Sequence, residues 1–265
     1  MSQPSRKWKK QPFITNPWKR WIIYIGSAVY LISVISTLKI NWGRAIDGME
    51  RGLEFFGAFL SPDFVSRWDD IYEGILESLS IMGVSTVLGV LISIPIGLGA
   101  ARNISPLPVY LLCRGIIATS RAFQEVIVAI FFVALFGFGP FAGVITLAFA
   151  TIGFLSKLLA EDIEDINRDQ VEAIRATGAS WTQLMNYGVQ PQVVPRMVGL
   201  SFYRMDINFR ESAVIGIAGA GGIGATLRTA FDRYEFESAT AILLIIIVVV
   251  MAMEYLSGYL RKQLV

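Results

Sequence analysis

Long runs of apolar residues, separated by short polar stretches, dominate the pattern of this chain. A helix needs about 20 mainly apolar residues to cross a bilayer, and six runs reach roughly that length. These runs cover approximately residues 20–39, 74–101, 108–136, 141–160, 195–218 and 238–260. The pattern predicts an all-α integral membrane protein with about six transmembrane helices, the third of them one continuous helix that opens at Pro108.

Charge at the ends of the runs predicts the topology. Basic residues that precede the first run favour a cytoplasmic N-terminus: Arg6, Lys7, Lys9, Lys10, Lys19 and Arg20. Helix parity then places residues 161–194 and the C-terminus inside. The predicted divisions are a basic cytoplasmic segment 1–19, a first helix with an external segment 20–70, a core of five helices 71–260, and a cytoplasmic tail 261–265. Within the external segment, residues 43–60 are partly amphipathic, so an interfacial helix and a collapsed loop are both open.

Composition removes several classes of function. Only 17% of the residues are charged and 54% are hydrophobic, whereas soluble domains carry about 25% charged residues. There is no histidine and only one cysteine, Cys113, which excludes disulfides, cysteine-rich metal sites and histidine-based catalysis. No phosphate-binding loop of the Gly-x-x-x-x-Gly-Lys-Ser/Thr type is present, so we expect no cofactor in this chain and no hydrolysis of ATP by it. Membrane lipid is the expected surrounding, and nothing indicates a nucleic-acid partner.

Residues 161–194 are polar but patterned. Apolar residues recur at roughly helical spacing up to Ile174, and Gly178 follows where a first helix must stop. Ser180 is a candidate N-cap for a second short helix that runs to Tyr187 and ends at Gly188. We interpret the segment as a cytoplasmic helix–turn–helix. Its apolar residues Trp181, Leu184, Met185 and Tyr187 favour a docking partner over an ordered loop without one.

The spacing of Glu172-Ala173-Ile174, Gly178, Val189 and Pro191 resembles the "EAA" loop of ABC-importer permeases. The chain departs from that motif only at Ile174, where the motif has alanine. In that family the loop forms coupling helices that seat in a cleft of the ATPase subunit. The resemblance therefore implies contacts with an ATPase for Glu172, Ala173, Arg175, Gly178, Ala179, Trp181 and Pro191.

Further segments are similar to the phosphonate branch of that family: residues 100–103, 137–143, 187–195, 203–212 and 218–224. The similarity covers about residues 75–260. It implies a type I importer permease fold, a homodimer in the bacterial plasma (inner) membrane, two cytoplasmic ATPase subunits that bind ATP and Mg, and an extracytoplasmic substrate-binding protein. The implied activity is import of phosphonate, phosphite or a related oxyanion by alternating access.

Charged residues inside apolar runs are costly unless they face a partner or a cavity. The candidates for the pathway or gate are Arg121 and Glu125 in the third run and Arg204, Asp206, Asn208, Arg210 and Glu211 in the fifth. Arg121 and Glu125 are one helical turn apart and could pair. In the fifth run, Arg204, Asn208 and Glu211 share one stripe, while Asp206 and Arg210 lie on nearly the opposite one. Only one stripe can line a narrow pathway, and purely structural ion pairs remain an alternative.

Four glycines follow the fifth run: Gly219, Gly221, Gly222 and Gly224. They follow a spanning helix and not a strand, so we predict close helix packing or an outer gate here and no nucleotide site. The alternatives to a phosphonate importer are a permease of the same architecture for another solute such as methionine, an intramembrane enzyme, and a membrane scaffold.

Overall fold

The computed structural model describes residues 14, 16–38 and 41–264, and the regular elements within them are all helices. The helices are α1 (Pro17–Thr37), α2 (Trp42–Ala58), α3 (Trp68–Gly99), α4 (Leu107–Ala122), α5 (Glu125–Phe136), α6 (Pro140–Glu164), α7 (Arg168–Ala176), α8 (Trp181–Leu184), α9 (Gln190–Ile217), α10 (Ile223–Asp232) and α11 (Phe236–Leu264). Most of the basic N-terminal segment predicted from sequence lies outside the described residues.

Two compact units make up the chain, residues 1–54 and 55–265. In the first unit, α1 begins at an N-cap, Asn16, whose side chain accepts a hydrogen bond from the backbone N–H of Trp18. None of the residues of α1 is buried, and they are apolar enough to cross a membrane. Residues 43–60 form helix α2 over most of their length, so the segment is helical, and its interfacial position stays a prediction.

The end of α2 belongs to the second unit. There the ring of Phe55 packs against Phe231 and Phe236, with centroids 5.7 and 5.8 Å apart. The core of this unit is the contact between α3 and α6, where small residues allow close approach. Gly89 of α3 lies directly against Thr151, and Gly97 lies against Leu159.

Four described helices are long and apolar enough to span a membrane: α1, α3, α6 and the part of α11 up to Tyr259. The pair α4 and α5 together would provide a fifth span. Helix α9 is the most polar of the long helices, but its 28 residues extend about 42 Å at 1.5 Å per residue. It is therefore long enough to cross a bilayer, and it packs against α3, α6, α10 and α11.

The prediction of one continuous third helix is wrong. The chain bends by 94° between α4 and α5, because Phe123 and Gln124 take extended backbone angles. Arg121 lies in the last turn of α4 and Glu125 in the first turn of α5, where each charge is favourable to its own helix dipole. The predicted pairing of these two residues across one helical turn is accordingly also wrong.

The second helix of the cytoplasmic segment also differs from the prediction. Ser180 caps α8 as expected, in a capping box with Gln183. The helix does not end at Gly188, however. A five-residue π-helical segment, Met185–Val189, joins α8 directly to α9. Pro191 lies in the first turn of α9, directly after the π-helical segment, and Pro195 lies inside α9, so neither proline ends the helix.

The glycine-rich turn after α9 is fixed by α3. Gly219, Gly221 and Gly222 have φ of 100°, 80° and 73°, a region that other residues rarely adopt. Glu77 accepts a hydrogen bond from the N–H of Gly222 at 2.8 Å. Gly224 lies against the carbonyl oxygen of Ala213, so any side chain at this position would collide with the backbone of α9.

Candidate functional site

Arg204 is a buried cation in the middle of α9. Its side chain is 5% exposed. The guanidinium donates from Nη2 to Glu211 Oε2 at 3.2 Å and from Nε to the hydroxyl of Thr151 at 3.2 Å. Glu125 Oε1 lies 3.9 Å from the same Nη2 atom, and the ring of Phe154 lies 5.4 Å from the guanidinium carbon. Arg204 therefore joins α9 to both α5 and α6.

Asn208 extends this polar cluster by one helical turn. Its amide nitrogen donates to the hydroxyls of Thr86 at 2.8 Å and Thr151 at 3.0 Å, and the side chain is fully buried. Because Thr86 belongs to α3 and Thr151 to α6, one amide links three helices. Buried polar groups have to be hydrogen-bonded in this way to be tolerated in an apolar interior.

The cluster lies near the middle of the helices that carry it. Arg204 is 14 residues after Gln190 and 13 before Ile217, so about 20 Å of α9 extends on either side. Thr151 is similarly central in α6, which runs from residue 140 to residue 164. Since the hydrocarbon core of a bilayer is about 30 Å thick, the cluster lies at membrane depth.

A cavity of about 360 Å³ opens at the bend between α4 and α5. Its lining includes Arg121, Glu125 and Arg204, and it is completed by Ser120, Ala122, Phe123, Gln124, Ala150 and Phe154. The bend between α4 and α5 thus brings together three of the residues that we predicted from the sequence to line the pathway. Two cations and one carboxylate face the same space.

Asp206 and Arg210 form a separate pair. Arg210 Nη2 donates to Asp206 Oδ2 at 2.8 Å, and neither residue lines the cavity. The carboxylate is 6% exposed, whereas the guanidinium is 47% exposed. The two stripes predicted from helical spacing are therefore present. Arg204, Asn208 and Glu211 belong to the cluster with α5 and α6, whereas Asp206 pairs with Arg210.

Sequence reasoning missed the neutral members of the cluster. Thr86, Thr151 and Ser120 are small hydroxyl residues inside apolar helices, a composition that gives no signal because such residues often bond to their own helix backbone. Phe154 was equally unmarked among many phenylalanines. Only three-dimensional contacts distinguish them. Thr86 and Thr151 bond to Asn208, Phe154 packs on Arg204, and Ser120 lines the cavity.

The second candidate region, which we call the knob, consists of the short helices α7 and α8, residues 168–184. It lies at the end of the bundle where α3 and α6 have their C-termini. Asn167 caps α7, and its N–H donates to Gln192 of α9 at 2.9 Å. Gly178 provides the turn with φ of 80°. On the surface of the knob, Glu172, Ala173, Arg175 and Trp181 are exposed, Ala179 is partly buried, and Pro191 is exposed beyond it.

Not every apolar residue of the predicted second helix, residues 181–187, is exposed as expected. Trp181 and Tyr187 are 60% and 71% exposed, but Leu184 is buried and Met185 is partly buried. Met185 packs on a cluster that includes Ile163, Val189 and Val193. This cluster fixes the knob to the ends of α6 and α9.

A second network, of ion pairs and a hydrogen bond, stabilises the same end of the bundle. Arg114 Nη2 forms an ion pair with Glu164 at 2.9 Å, and its Nε donates to the carbonyl of Ala100. Arg114 therefore stabilises the junction of α3, α4 and α6, and it does not share a surface with Arg121 and Glu125. Arg196 of α9 pairs with Asp162 of α6 at 3.0 Å nearby.

A family model described as "Binding-protein-dependent transport system inner membrane component" matches residues 93–264, well over half of the chain. The chain belongs to this family. The match includes the cavity at the α4–α5 bend, the knob and all of α9. A multi-pass protein of the inner membrane, acting as a transport subunit and not as an enzyme, follows from that membership and from the apolar helices.

Two curated relatives of this family member are similar over most of its length. The phosphate-import permease protein PhnE of Mycolicibacterium smegmatis is 38% identical over 259 residues, which is 96% of this chain and 49% of that protein. The chain thus spans about half the length of this relative. The phosphite transport system permease protein PtxC of Stutzerimonas stutzeri is 35% identical over 218 residues, which is 82% of this chain and 79% of that protein.

Among solved structures, the MetNI methionine ABC transporter in an inward-facing conformation contains a similar chain. The TM-score is 0.65 at 20% identity, and the superposition covers 74% of this chain and 96% of the other. At this identity the likeness concerns the fold alone. It confirms the predicted all-α fold of type I ABC-importer permeases.

The buried ion pair of this permease-family member predicts a stability test. Arg204→Met leaves the partly buried carboxylate of Glu211 without its main cation, which we expect to lower the free energy of unfolding by about 3 kcal/mol. The double variant Arg204→Met/Glu211→Gln removes the stranded charge and should recover much of that loss. Lys157→Met, which breaks the more exposed pair with Glu161, should cost at most about 1 kcal/mol.

Unfolding of the detergent-purified protein by denaturant measures all three variants. A single variant as stable as the wild type would contradict the ion-pair assignment, as would a double variant that is no more stable than the single one.

Proposed function

We propose that this chain is the membrane-spanning subunit of an ATP-driven importer that moves a phosphonate-type oxyanion, such as phosphonate or phosphite, into the cell. The similarity to PtxC, which extends over 79% of that phosphite permease, carries the proposal. The buried Arg204 supports it, since the planar fork of arginine is well suited to phosphorus oxyanions.

Family membership implies an ATPase, a substrate-binding protein and pairing of permease subunits. We propose specifically that two copies of this chain form a homodimer with two cytoplasmic ATPase subunits and one extracytoplasmic binding protein. The N- and C-termini lie in the cytoplasm, and the knob faces the same side. ATP and Mg are bound by the ATPase subunits.

The knob provides the contact with the ATPase in this proposal. Its exposed residues include a large aromatic ring, Trp181, and the charged side chains of Glu172 and Arg175, a combination suited to a protein partner. Because α8, the π-helical segment and α9 are continuous, a displacement of the knob moves α9 as well. Closure of the ATPase dimer on ATP then opens the bundle outward, and hydrolysis resets it.

The charged residues of α9 and of the α4–α5 bend lie beside the pathway in this proposal. One group of residues lines the cavity or belongs to the polar cluster beside it: Arg121, Glu125, Arg204, Asn208 and Glu211. Asp206 and Arg210 do not line the cavity. Asp206 is buried within the chain, and we assign the half-exposed Arg210 that it holds to contacts between copies of the chain. Gly219, Gly221, Gly222 and Gly224 form the turn at the predicted outer end and are candidates for an outer gate.

A methionine permease of the same fold is the nearest alternative, since the MetNI structure is similar. The charged cluster at membrane depth favours an oxyanion over a zwitterionic amino acid. An intramembrane enzyme would need convergent catalytic groups, whereas the carboxylates of this cluster are engaged with Arg204 and Arg210. A scaffold would have no need for a capped helical knob with the spacing of Glu172, Gly178 and Pro191.

Transport in proteoliposomes tests the proposal. The permease, assembled with its ATPase and binding protein, should accumulate radiolabelled phosphite or methylphosphonate when ATP is present, and excess methionine should not compete. Accumulation of methionine in place of both phosphorus compounds would favour the alternative permease. ATP-dependent uptake of none of them would contradict an importer of this class.

Coupling to the ATPase gives a second prediction. Gly178→Val places a branched side chain at φ of 80°, a strained conformation that should distort the knob. Trp181→Ala removes its main exposed aromatic ring. Both variants should lose ATPase co-purification or substrate-stimulated ATP hydrolysis by about tenfold or more, because exposed tryptophans are frequent interface hot spots worth at least 2 kcal/mol.

Trp68→Ala is the matched control, since Trp68 is 53% exposed at the opposite end of α3 from the knob. It should leave ATPase binding unchanged. The coupling role would be wrong if Gly178→Val and Trp181→Ala behaved like this control.

A further inference from the structure

The cavity at the α4–α5 bend contains one cation that has no carboxylate partner. Among the described residues, no carboxylate oxygen lies within ion-pair distance of Arg121, which lines the cavity together with Arg204 and Glu125. Arg204 has the opposite surroundings, since two carboxylates share its Nη2 atom. Arg121 of α4 thus has no carboxylate partner among the described residues, whereas Arg204 of α9 has two.

The two carboxylates on Arg204 are not equivalent. Glu211 is 3.2 Å away on the same helix and does not line the cavity, whereas Glu125 is 3.9 Å away and lies on the cavity wall. A separation of 3.9 Å is beyond a hydrogen bond. Glu125 is therefore the weaker partner and the one that an entering anion would meet.

We propose that this cavity is a transient subsite for the phosphorus oxyanion, in which Arg121 and Arg204 contact the substrate and Glu125 competes with it. The inference rests on the proposed function and adds the substrate contact within it. The oxyanion takes the place of Glu125 beside Arg204 and neutralises Arg121 at the same time. When the oxyanion leaves, Glu125 returns.

The geometry of Arg204 suits this exchange. Thr151 accepts the Nε–H bond, Glu211 accepts one Nη2–H bond, and Phe154 lies 5.4 Å from the guanidinium carbon, so the group is held in place from three sides. A fixed guanidinium loses little freedom when it binds an oxyanion. The cavity, at about 360 Å³, lies within the roughly 300–1,000 Å³ range of small-molecule sites.

Competition from a carboxylate also explains how the subsite would release its ligand. A pathway site has to attract the ion yet let it go. Two arginines without a competing anion would hold an oxyanion firmly through charge-assisted hydrogen bonds. Glu125 weakens that hold without removing the attraction, because it lies on the cavity wall as the first residue of α5.

The test uses the complete complex of permease, ATPase and binding protein in proteoliposomes, with radiolabelled phosphite as the probe. Arg121→Gln should lower the import rate by about tenfold, the effect of losing one charge-assisted contact, while ATP hydrolysis stimulated by the loaded binding protein continues. Arg121→Lys keeps the charge and should restore part of the import. Lys157→Gln removes the same charge from α6 outside the cavity and should import like the wild type.

Glu125→Gln tests the competing role separately. With the competitor gone, phosphite inside the vesicles should inhibit import at a concentration about tenfold lower than in the wild type. Unchanged inhibition would overturn the role of Glu125.

The subsite itself would be overturned if Arg121→Gln imported at the rate of Lys157→Gln. It would also be overturned if Arg121→Gln lost import and stimulated ATP hydrolysis together without rescue by Arg121→Lys, which indicates a structural role. Failure of the proposed function looks different, because the wild-type complex itself would then import no phosphite.

Discussion

A positive charge buried at membrane depth is the constraint on which the arrangement of this bundle depends. An arginine at the centre of a bilayer costs at least about 2.5–3.5 kcal/mol and more in some estimates, so Arg204 must be compensated by its neighbours. Those neighbours come from different helices: Glu211 from α9 itself, Glu125 from α5, and Thr151 with Phe154 from α6. Satisfying this one side chain therefore fixes α9 against α6 and brings the first turn of α5 beside α9.

The same helix connects this cluster with the cytoplasmic end. Helix α9 begins directly after the π-helical segment Met185–Val189, which in turn continues α8 without a loop. The apolar cluster around Ile163, Val189 and Val193 holds this junction against α6. One nearly continuous helical path thus runs from the exposed Trp181 to the buried Arg204. A bistable shift of that path, driven from the knob, would change the surroundings of the charged cluster, which is the physical requirement for coupling ATP hydrolysis to transport.

Much of this arrangement follows from local sequence signals. Apolar runs located the long helices, Ser180 and Gly178 located the cap and the turn of the knob, and helical spacing separated the stripe of Arg204 from that of Asp206. The bend at Phe123 and Gln124 was missed although the run turns polar around it, because no proline or glycine marks the break and the apolar pattern resumes at Val126. The hydroxyls of Thr86 and Thr151 gave no signal either, since their role depends on contacts with α9 that only the packed bundle creates. The π-helical segment was hidden by Gly188 and Pro191, which ordinarily indicate a helix end.

Access to the cavity at the α4–α5 bend tests the account most directly. A single cysteine can be placed at Ala122, which lines the cavity, in a Cys113→Ser background, with Ala129→Cys as a fully buried control on α5. In the assembled complex, a membrane-impermeant thiol reagent should modify position 122 from the cytoplasmic side without nucleotide and from the outer side when ATP is trapped, while position 129 stays protected. Protection of position 122 in both states, or modification from one side regardless of nucleotide, would contradict a substrate pathway through this cavity.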